Sequence, residues 1–237
     1  MTDDTRTLAS PETAADILAR QPDLEQALAY FHQHVATPRA VNLSVAENVL
    51  LYHHSMEKVF NDIHLLPERY IQYIDSAGTE KVREPVAKLL TLALGAEVDK
   101  DHVYGVAGVS SALECIAFAL KGSDPVGRPL KDGDEVLIPA PYWQGFNWSF
   151  QERPRLTCVP VNLPTEGEER YRLTLALLKK AYKDRKAAGH TPRLLVLTNP
   201  HNPLGVNYSR ALQDEIYGWA LNDTDMHIIS DDISAYA

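Results

Sequence analysis

From His102 onward, short apolar runs rich in β-branched residues and leucine alternate with longer segments of helical spacing. This alternation constrains the fold most strongly, because it is typical of parallel strands joined by crossover helices. It predicts an α/β fold. We place strands at residues 103–106, 135–138, 156–161, 194–198 and 227–230, and helices at 111–121, 143–152, 175–188 and 210–221.

The part of the chain before His102 lacks this alternation and predicts mostly helices. Ser10 and Pro11 supply a cap and a first-turn proline, which together mark the start of an N-terminal helical arm. The predicted elements are the arm over residues 12–35, a strand-like segment over 40–45, and helices over 50–60 and 80–94.

The net charge narrows the range of partners. With 23 basic and 32 acidic side chains, the formal charge is −9, which argues against a general binder of nucleic acid or anionic membranes. No run approaches the ~20 consecutive apolar residues of a membrane span. The first thirty residues mix charged and apolar positions, unlike a secretion signal, and we expect a cytoplasmic protein.

The cysteines Cys115 and Cys158 lie far apart in apolar surroundings. They lack the paired spacing of a zinc site or a redox motif, and we predict no metal site. We expect both thiols to be buried and unreactive, which is the usual state of a free cysteine.

In an open α/β sheet, ligands bind beyond the carboxyl ends of the strands, which makes the residues after each predicted strand the candidates for function. After the first predicted strand, residues 107–112 place free backbone N–H groups and two hydroxyls at the start of a helix. A helix N-terminus of this kind can hold a phosphate. A plain serine cap without a ligand is the alternative.

Three further strand ends carry residues that suit a ligand site. After the second strand, residues 139–146 combine prolines with adjacent aromatics, whose flat rings can stack on a planar ligand or form a core cluster. After the fourth, the Asn-Pro steps within 199–203 predict a rigid turn that can aim a carboxamide, or that is a turn and nothing more. The fifth strand ends at Asp231, which is either a ligand carboxylate or an ordinary cap.

Taken in order, these segments and residues 41–48 resemble the class I/II aminotransferases, which are fold-type I enzymes dependent on pyridoxal 5'-phosphate (PLP). The Ala-Glu-Asn element at 46–48 and the Pro-Tyr-aromatic-x-Gly-Phe element at 141–146 are most similar to the branch that contains 1-aminocyclopropane-1-carboxylate synthase. The resemblance implies a PLP-dependent transferase-like large domain, a mainly parallel sheet flanked by helices, here incomplete at the C-terminus.

The resemblance also implies roles for single residues in holding PLP. The amides of Val109 and Ser110, with the Ser110 hydroxyl and the adjacent Ser111, would hold the phosphate. Asp231 would pair with the ring nitrogen and keep it protonated, which makes the ring an electron sink. The other cofactor-binding residues implied are Trp143, stacked on the ring, and Asn202, donating to the ring 3'-oxygen.

Further implied positions lie earlier in the chain. Tyr73 fits the tyrosine that reaches a neighbouring subunit's phosphate, although the synthase-like register places Ser76 there. Ala46 and Glu47 would lie on the substrate side. In the family's domain organisation, residues 1–50 are the arm and part of a small domain, and residues 51–237 are the PLP-binding large domain.

The sequence departs from the family pattern at two places. Ser234 stands where the family has a tyrosine that contacts the ring 3'-oxygen. The chain stops at Ala237, before the Ser-x-x-Lys segment that carries the Schiff-base lysine and before the arginine that binds the substrate carboxylate. None of its lysines takes that place: Lys58, Lys81, Lys88, Lys100, Lys121, Lys131, Lys179, Lys180, Lys183 and Lys186.

We therefore expect the N-terminal part of a longer or split PLP-dependent aminotransferase or synthase-like lyase that acts on an amino acid. The expected partner is a second copy in a homodimer, or a complementing C-terminal chain that supplies the missing lysine. No catalytic residue is predicted within this chain. The alternative is a catalytically silent PLP-fold subunit, or pseudoenzyme, that binds the cofactor or a partner chain.

Overall fold

The computed structural model describes residues 29, 33, 51–63, 67–68, 71–123 and 127–235. The chain divides into two units, residues 1–72 and 73–237, which are described separately. The domain boundary predicted after residue 50 stays a prediction.

In the first unit, a π-helical turn, Tyr52–Met56, continues into helix α1, Glu57–Asn61, where a helix is predicted. Ala29 and Gln33, within the predicted arm, are helical. The rest of the arm and the strand-like segment over residues 40–45 lie outside the described residues.

The second unit contains a four-stranded sheet whose pairings are all parallel, in the order β2-β1-β3-β4. The prediction of an α/β fold with a mainly parallel sheet is confirmed. The strands are β1 Glu135–Ala140, β2 Thr157–Asn162, β3 Pro192–Thr198 and β4 His227–Asp231. The helices are α2 Glu80–Leu94, α3 Val109–Gly122, α4 Gly145–Asn147, which continues into a π-helical turn at Trp148–Glu152, α5 Leu175–Ala187 and α6 Arg210–Asp223.

Strand β3 is buried along its whole length, as a parallel strand covered on both faces must be. Its alternate residues point to opposite faces of the sheet. Leu195 and Leu197 belong to a core formed with α5 and α6, whereas Leu194 and Val196 belong to a core formed with α3 and α4. The helix-side members are Leu178, Ile216, Trp219 and Ala220 in the first core, and Leu113, Ala117, Phe146 and Phe150 in the second.

The strand order creates a reversal between β1 and β3. The chain leaves β1 for its neighbour β2 on one side and then crosses to β3 on the other. A reversal of this kind opens a crevice at the carboxyl ends of the two central strands, which is where ligands of open α/β sheets bind. The β1–β3 pairing runs no further than Leu137 and Leu195, whereas β3 and β4 stay paired up to Thr198 and Asp231.

Two expectations from the sequence are wrong. Residues 103–106 do not form a strand, because no strand in the described part of the chain pairs with them and Gly105 N–H donates instead to the Ala77 carbonyl at 2.8 Å. Cys115 is exposed on α3 rather than buried. Cys158 is half-buried, and desolvation raises the pKa of its thiol to about 12, which favours the unreactive protonated form.

A buried ion pair fixes the amino end of the sheet, away from the strand ends named above. Glu135, at the start of β1, is 1% exposed. Each of its carboxylate oxygens accepts a hydrogen bond from Arg185 Nε at 3.0 Å, and His190 Nδ1 lies 3.2 Å from Oε1. The pair connects α5 to β1.

We expect Arg185→Met to unfold at a lower urea concentration than wild type, because it leaves the buried Glu135 carboxylate without its main cation. Urea denaturation measures the change. Arg172→Met is the matched control, since its pair with Glu169 is exposed on both sides and contributes about 0–1 kcal/mol. Equal losses in the two variants would contradict this role for the buried pair.

Candidate functional site

The first turn of α3 leaves its backbone amides open. The helix is capped by Gly108, at φ 89°, which has no side chain to accept from the helix. The helices α5 and α6 differ, because Thr174 and Ser209 cap them by accepting from the amides of Leu177 and Leu212. A positive φ strains any L side chain, which is the physical reason for glycine at position 108.

Neither serine of this segment is the cap, and the plain-cap alternative is therefore wrong. Ser110 and Ser111 lie inside the first turn, and the Ser111 hydroxyl donates to the Ala107 carbonyl at 3.2 Å. The amides of Val109, Ser110 and Ser111 have no hydrogen-bond partner among the described residues. Free amides at a helix start, with the positive end of the helix dipole, favour an anion.

Asp231 is a buried carboxylate at the end of β4. It is 7% exposed, and it accepts hydrogen bonds from the Thr198 hydroxyl and from the Ile233 amide, both at the long distance of 3.4 Å. Desolvation raises its pKa above the ordinary value, and the charge of Asp232 adds to this effect. Because no lysine, arginine or histidine of the described residues forms an ion pair with Asp231, its environment favours a protonated nitrogen as ligand.

Val109, at the start of α3, and Asp231, at the end of β4, line the same cavity, whereas Ser110 and Ser111 do not line it. A cavity of about 280 Å³ is lined on one side by the first turns of α3 and on the other by the end of β4. Its lining includes Val109 from the helix and Asp231 from the strand. A ligand with an anionic group at one end and a protonated nitrogen at the other matches this arrangement. The lining residues are Val109, Ala112, Leu113, Ile116, Ile229, Ser230, Asp231, Asp232 and Ile233.

Trp143 lies half-buried after β1. It belongs to an aromatic cluster, which was the alternative to a ligand-stacking role for this segment. Its ring meets Phe146 edge-on at 5.5 Å and Trp148 at 6.4 Å. The indole lies directly over the backbone of Gly145, because a Cβ built on that glycine would fall 2.1 Å from the ring. Trp143 does not line the cavity between α3 and β4.

The asparagines of the turn after β3 differ in their surroundings. The Asn199 side chain accepts from the Tyr208 amide at 2.8 Å, and the Asn199 amide donates to the Asp231 carbonyl at 3.0 Å. Asn199 is therefore structural and ties the turn to the end of β4. Asn202 is exposed in the turn and does not line the cavity.

The other predicted residues lie earlier in the chain. Tyr73, at the first position of the second unit, is fully exposed. Ala46 and Glu47 lie outside the described residues. Sequence reasoning missed Thr198, the donor to Asp231, because a threonine inside a buried strand carries no signal apart from its β propensity.

The family relationship follows from comparison with known proteins. A model of the family described as aminotransferase class I and II matches residues 38–236. The chain belongs to this family. The prediction made from the strand-end motifs is thereby confirmed.

Relatives within the aminotransferase class I and II family include plant and animal proteins. 1-Aminocyclopropane-1-carboxylate synthase 5 of Oryza sativa subsp. japonica is 33% identical over 161 residues, which are 67% of this chain and 28% of that protein. The Mus musculus protein named probable inactive 1-aminocyclopropane-1-carboxylate synthase-like protein 2 is 32% identical over 200 residues, or 81% of this chain and 33% of that protein. The chain spans about a third of the length of these relatives.

Solved structures of the family share the fold. Cystalysin from Treponema denticola, whose structure contains a PLP cofactor, matches with a TM-score of 0.61 and 21% identity over 86% of this chain and 47% of that chain. An archaeal alanine:glyoxylate aminotransferase matches with a TM-score of 0.66 and 19% identity over 88% of this chain and 48% of that chain. The predicted PLP-dependent transferase-like fold is confirmed.

No helix within the described ranges is both long and apolar enough to cross a membrane.

Proposed function

We propose that this chain is the cofactor-binding part of a PLP-dependent aminotransferase or synthase-like lyase that acts on an amino acid. One observation carries the proposal: Val109, the first residue of α3, and the desolvated carboxylate of Asp231 line one cavity. PLP has a phosphate at one end and a basic ring nitrogen at the other, which matches in charge the helix start and the carboxylate that line this cavity.

The residues present fit the group. The amides of Val109 and Ser110, with the hydroxyls of Ser110 and Ser111, would hold the phosphate, which gives a chain of net charge −9 a local anion site. Asp231 would accept a hydrogen bond from the protonated ring nitrogen. When bound, PLP supplies an electron sink for the charge that develops as an amino acid loses its Cα proton.

The chain's own residues would control the protonation of the PLP ring nitrogen, on which the electron sink depends. A carboxylate held in a desolvated position without a cation attracts a proton on a facing nitrogen more strongly than a hydrated carboxylate does. Asp231 would therefore keep the ring nitrogen charged at neutral pH. The roles of Trp143 on the face of the ring and of Asn202 at its 3'-oxygen are proposed from the family resemblance, since neither residue lines the cavity. The Thr198 and Ile233 donors hold the Asp231 carboxylate in one orientation.

The proton transfer at the substrate Cα needs an amine that the lysines named above do not supply at the family's position. We propose that this lysine belongs to a polypeptide beyond residues 1–237, either continuous with this chain or encoded beside it. Borohydride makes permanent any bond between PLP and a lysine. We expect reduction to attach no PLP stoichiometrically to the 237-residue chain, and to attach one PLP to a complementing polypeptide that carries Ser-x-x-Lys.

Peptide mass spectrometry after reduction locates the attachment, and the complementing polypeptide with its motif lysine changed to alanine is the control. Stoichiometric attachment to a lysine of residues 1–237 would contradict the division of the site between two segments. Attachment to neither chain would favour the second candidate.

The second candidate is a catalytically silent PLP-fold subunit. Similarity to the mouse protein named probable inactive favours it, and so does Ser234, which stands where the family has a tyrosine. In this case the chain binds PLP or a partner without turnover. Homodimer formation, the role of Tyr73 and a cytoplasmic location stay predictions.

A further inference from the structure

Strand β2 forms one edge of the sheet. It pairs with β1 on one side, and no strand of the described residues pairs with its other side. Three of its six residues are exposed, namely Thr157, Pro160 and Asn162. An edge of this kind presents free backbone N–H and C=O groups, which a strand of another chain can use to extend the sheet. The groups that β2 offers on this side therefore decide whether the sheet can be extended.

The backbone N–H groups of β2 point alternately to β1 and to the outer side, as they do along any parallel strand. The Thr157 N–H donates to the Asp134 carbonyl at 2.9 Å, and the Leu163 N–H donates to the Ala140 carbonyl at 3.1 Å. Both donors are at odd-numbered positions, and both face the β1 side. The residues of β2 whose backbone nitrogens face outward are Cys158, Pro160 and Asn162.

Two of these three outward residues offer no free donor. Pro160, near the middle of the strand, has no N–H. The Cys158 N–H is already used, because it donates to Oε1 of Gln151 at 3.0 Å. Only Asn162, the last residue of the strand, keeps an outward N–H. A strand that approached this edge would therefore lack most of the donors that a ladder of hydrogen bonds needs.

The Gln151 side chain is held beside the strand by its own segment. It belongs to the π-helical turn Trp148–Glu152, which directly precedes β2. Its neighbour Phe150 is fully buried, and the Phe150 carbonyl accepts from the Leu156 N–H at 2.9 Å. The turn is thus anchored in the core while the exposed Gln151 side chain covers the start of the edge.

We propose that Gln151 and Pro160 close the outer edge of β2, so that a second copy of this chain cannot extend the sheet there. The inference is independent of the proposed PLP site. Proline is tolerated in a strand where its missing N–H faces outward, and Pro160 stands at such a position, since it costs no bond to β1. Proline and blocked donors on an edge are among the means by which sheets avoid association.

Amide hydrogen exchange in the 237-residue chain tests the Gln151 contact. We expect the Cys158 amide to exchange about 5-fold faster in Gln151→Ala, as the loss of one hydrogen bond predicts. Gln151→Glu keeps an acceptor oxygen on a side chain of the same length, and exchange at Cys158 should stay within about 2-fold of wild type. Unchanged exchange at Cys158 in the alanine variant would overturn the role of Gln151.

Sedimentation velocity over a series of concentrations tests the closed edge itself. The double variant Gln151→Ala with Pro160→Thr restores free outward donors at both positions without adding apolar surface. We expect it to associate at a concentration about 10-fold lower than wild type, because each added strand gains two hydrogen bonds. Exchange at positions 158, 160 and 162 should slow as the concentration rises, which distinguishes pairing through β2 from association through another surface.

Thr157→Val is the matched control for association. It raises the β propensity and the apolar surface of the same strand, but the N–H at position 157 faces β1. We expect it to sediment as wild type does. If the double variant does not fold, Pro160→Thr alone replaces it, with association expected at about 5-fold lower concentration. Sedimentation equal to wild type, or equal association in the control, would overturn the proposal. Slower exchange at Asn162 of the wild type on concentration would overturn it as well.

Discussion

Replacing Asp231 with alanine is expected to weaken the binding of PLP to this chain by about 30-fold or more. Removing one partner of a buried, hydrogen-bonded charge pair typically costs 2–5 kcal/mol of binding free energy. The ring nitrogen would lose the only carboxylate that the described residues place, buried, in the cavity beside α3. Spectrophotometric titration with PLP measures the loss.

The same carboxylate should reduce the stability of the chain without ligand. The folded pKa of Asp231 lies above the unfolded value of 3.8, because burial disfavours its charge. Folding therefore becomes less favourable as the pH rises from 3.8 through the folded pKa, and this loss persists at neutral pH. Asp231→Asn, which removes the charge, is expected to unfold at a higher urea concentration than wild type at pH 7. The difference should disappear as the pH falls below 3.8.

Asp232→Asn is the matched control for both measurements. Asp232 is adjacent and exposed, and it lines the same cavity, but it lacks the burial of Asp231. We expect its affinity for PLP to stay within about 3-fold of wild type, since surface charges contribute little. Equal losses of affinity in the two variants would mean that the cavity responds to net charge and not to one buried carboxylate.

Replacing Gly145 with alanine is expected to displace Trp143. The added Cβ would lie 2.1–2.5 Å from three indole atoms, which is shorter than any contact that carbon atoms tolerate. The indole must rotate away, and the aromatic cluster with Phe146 and Trp148 must repack. We expect a loss of stability of about 1–3 kcal/mol and a loss of PLP affinity of about 10-fold as the stacking ring moves.

Gly218→Ala is the control for this substitution. Gly218 lies inside α6, where an added Cβ meets nothing within 4 Å. Alanine there should stabilise the helix by about 0.5–1 kcal/mol and leave PLP affinity unchanged. Near-ultraviolet circular dichroism reports the indole environment. An unchanged spectrum and affinity for Gly145→Ala would contradict the assigned position of Trp143.

The sequence predicted the sheet well where strands and helices are determined by local pattern. The strands of residues 135–140 and 192–198 are buried on both faces. Their continuous apolar runs are typical of such strands, and the local sequence therefore predicts them. Residues 103–106 show the limit. Their β-branched run suits a strand, but a strand also needs a neighbour, and in the described chain Gly105 bonds to Ala77 instead. Pairing depends on tertiary contacts that no local pattern records.

The candidate site was predictable in part. Asp231 was identified because it follows a predicted strand, and the start of α3 because it follows the apolar run that was predicted to be one. In the structure, Val109 and Asp231 line one cavity. The different surroundings of Asn199 and Asn202 were not predictable. They depend on which of the two side chains accepts a hydrogen bond from the Tyr208 amide. The cap at Gly108 likewise depends on a backbone angle of φ 89° and not on the serines that follow.

A crystal structure of this chain with pyridoxamine 5'-phosphate tests the central claim most directly. We expect the phosphate to accept hydrogen bonds from the amides of Val109 and Ser110, and the ring nitrogen to lie within about 3.2 Å of an Asp231 carboxylate oxygen. A molecule bound elsewhere on the sheet, or one bound with its phosphate away from the start of α3, would contradict it.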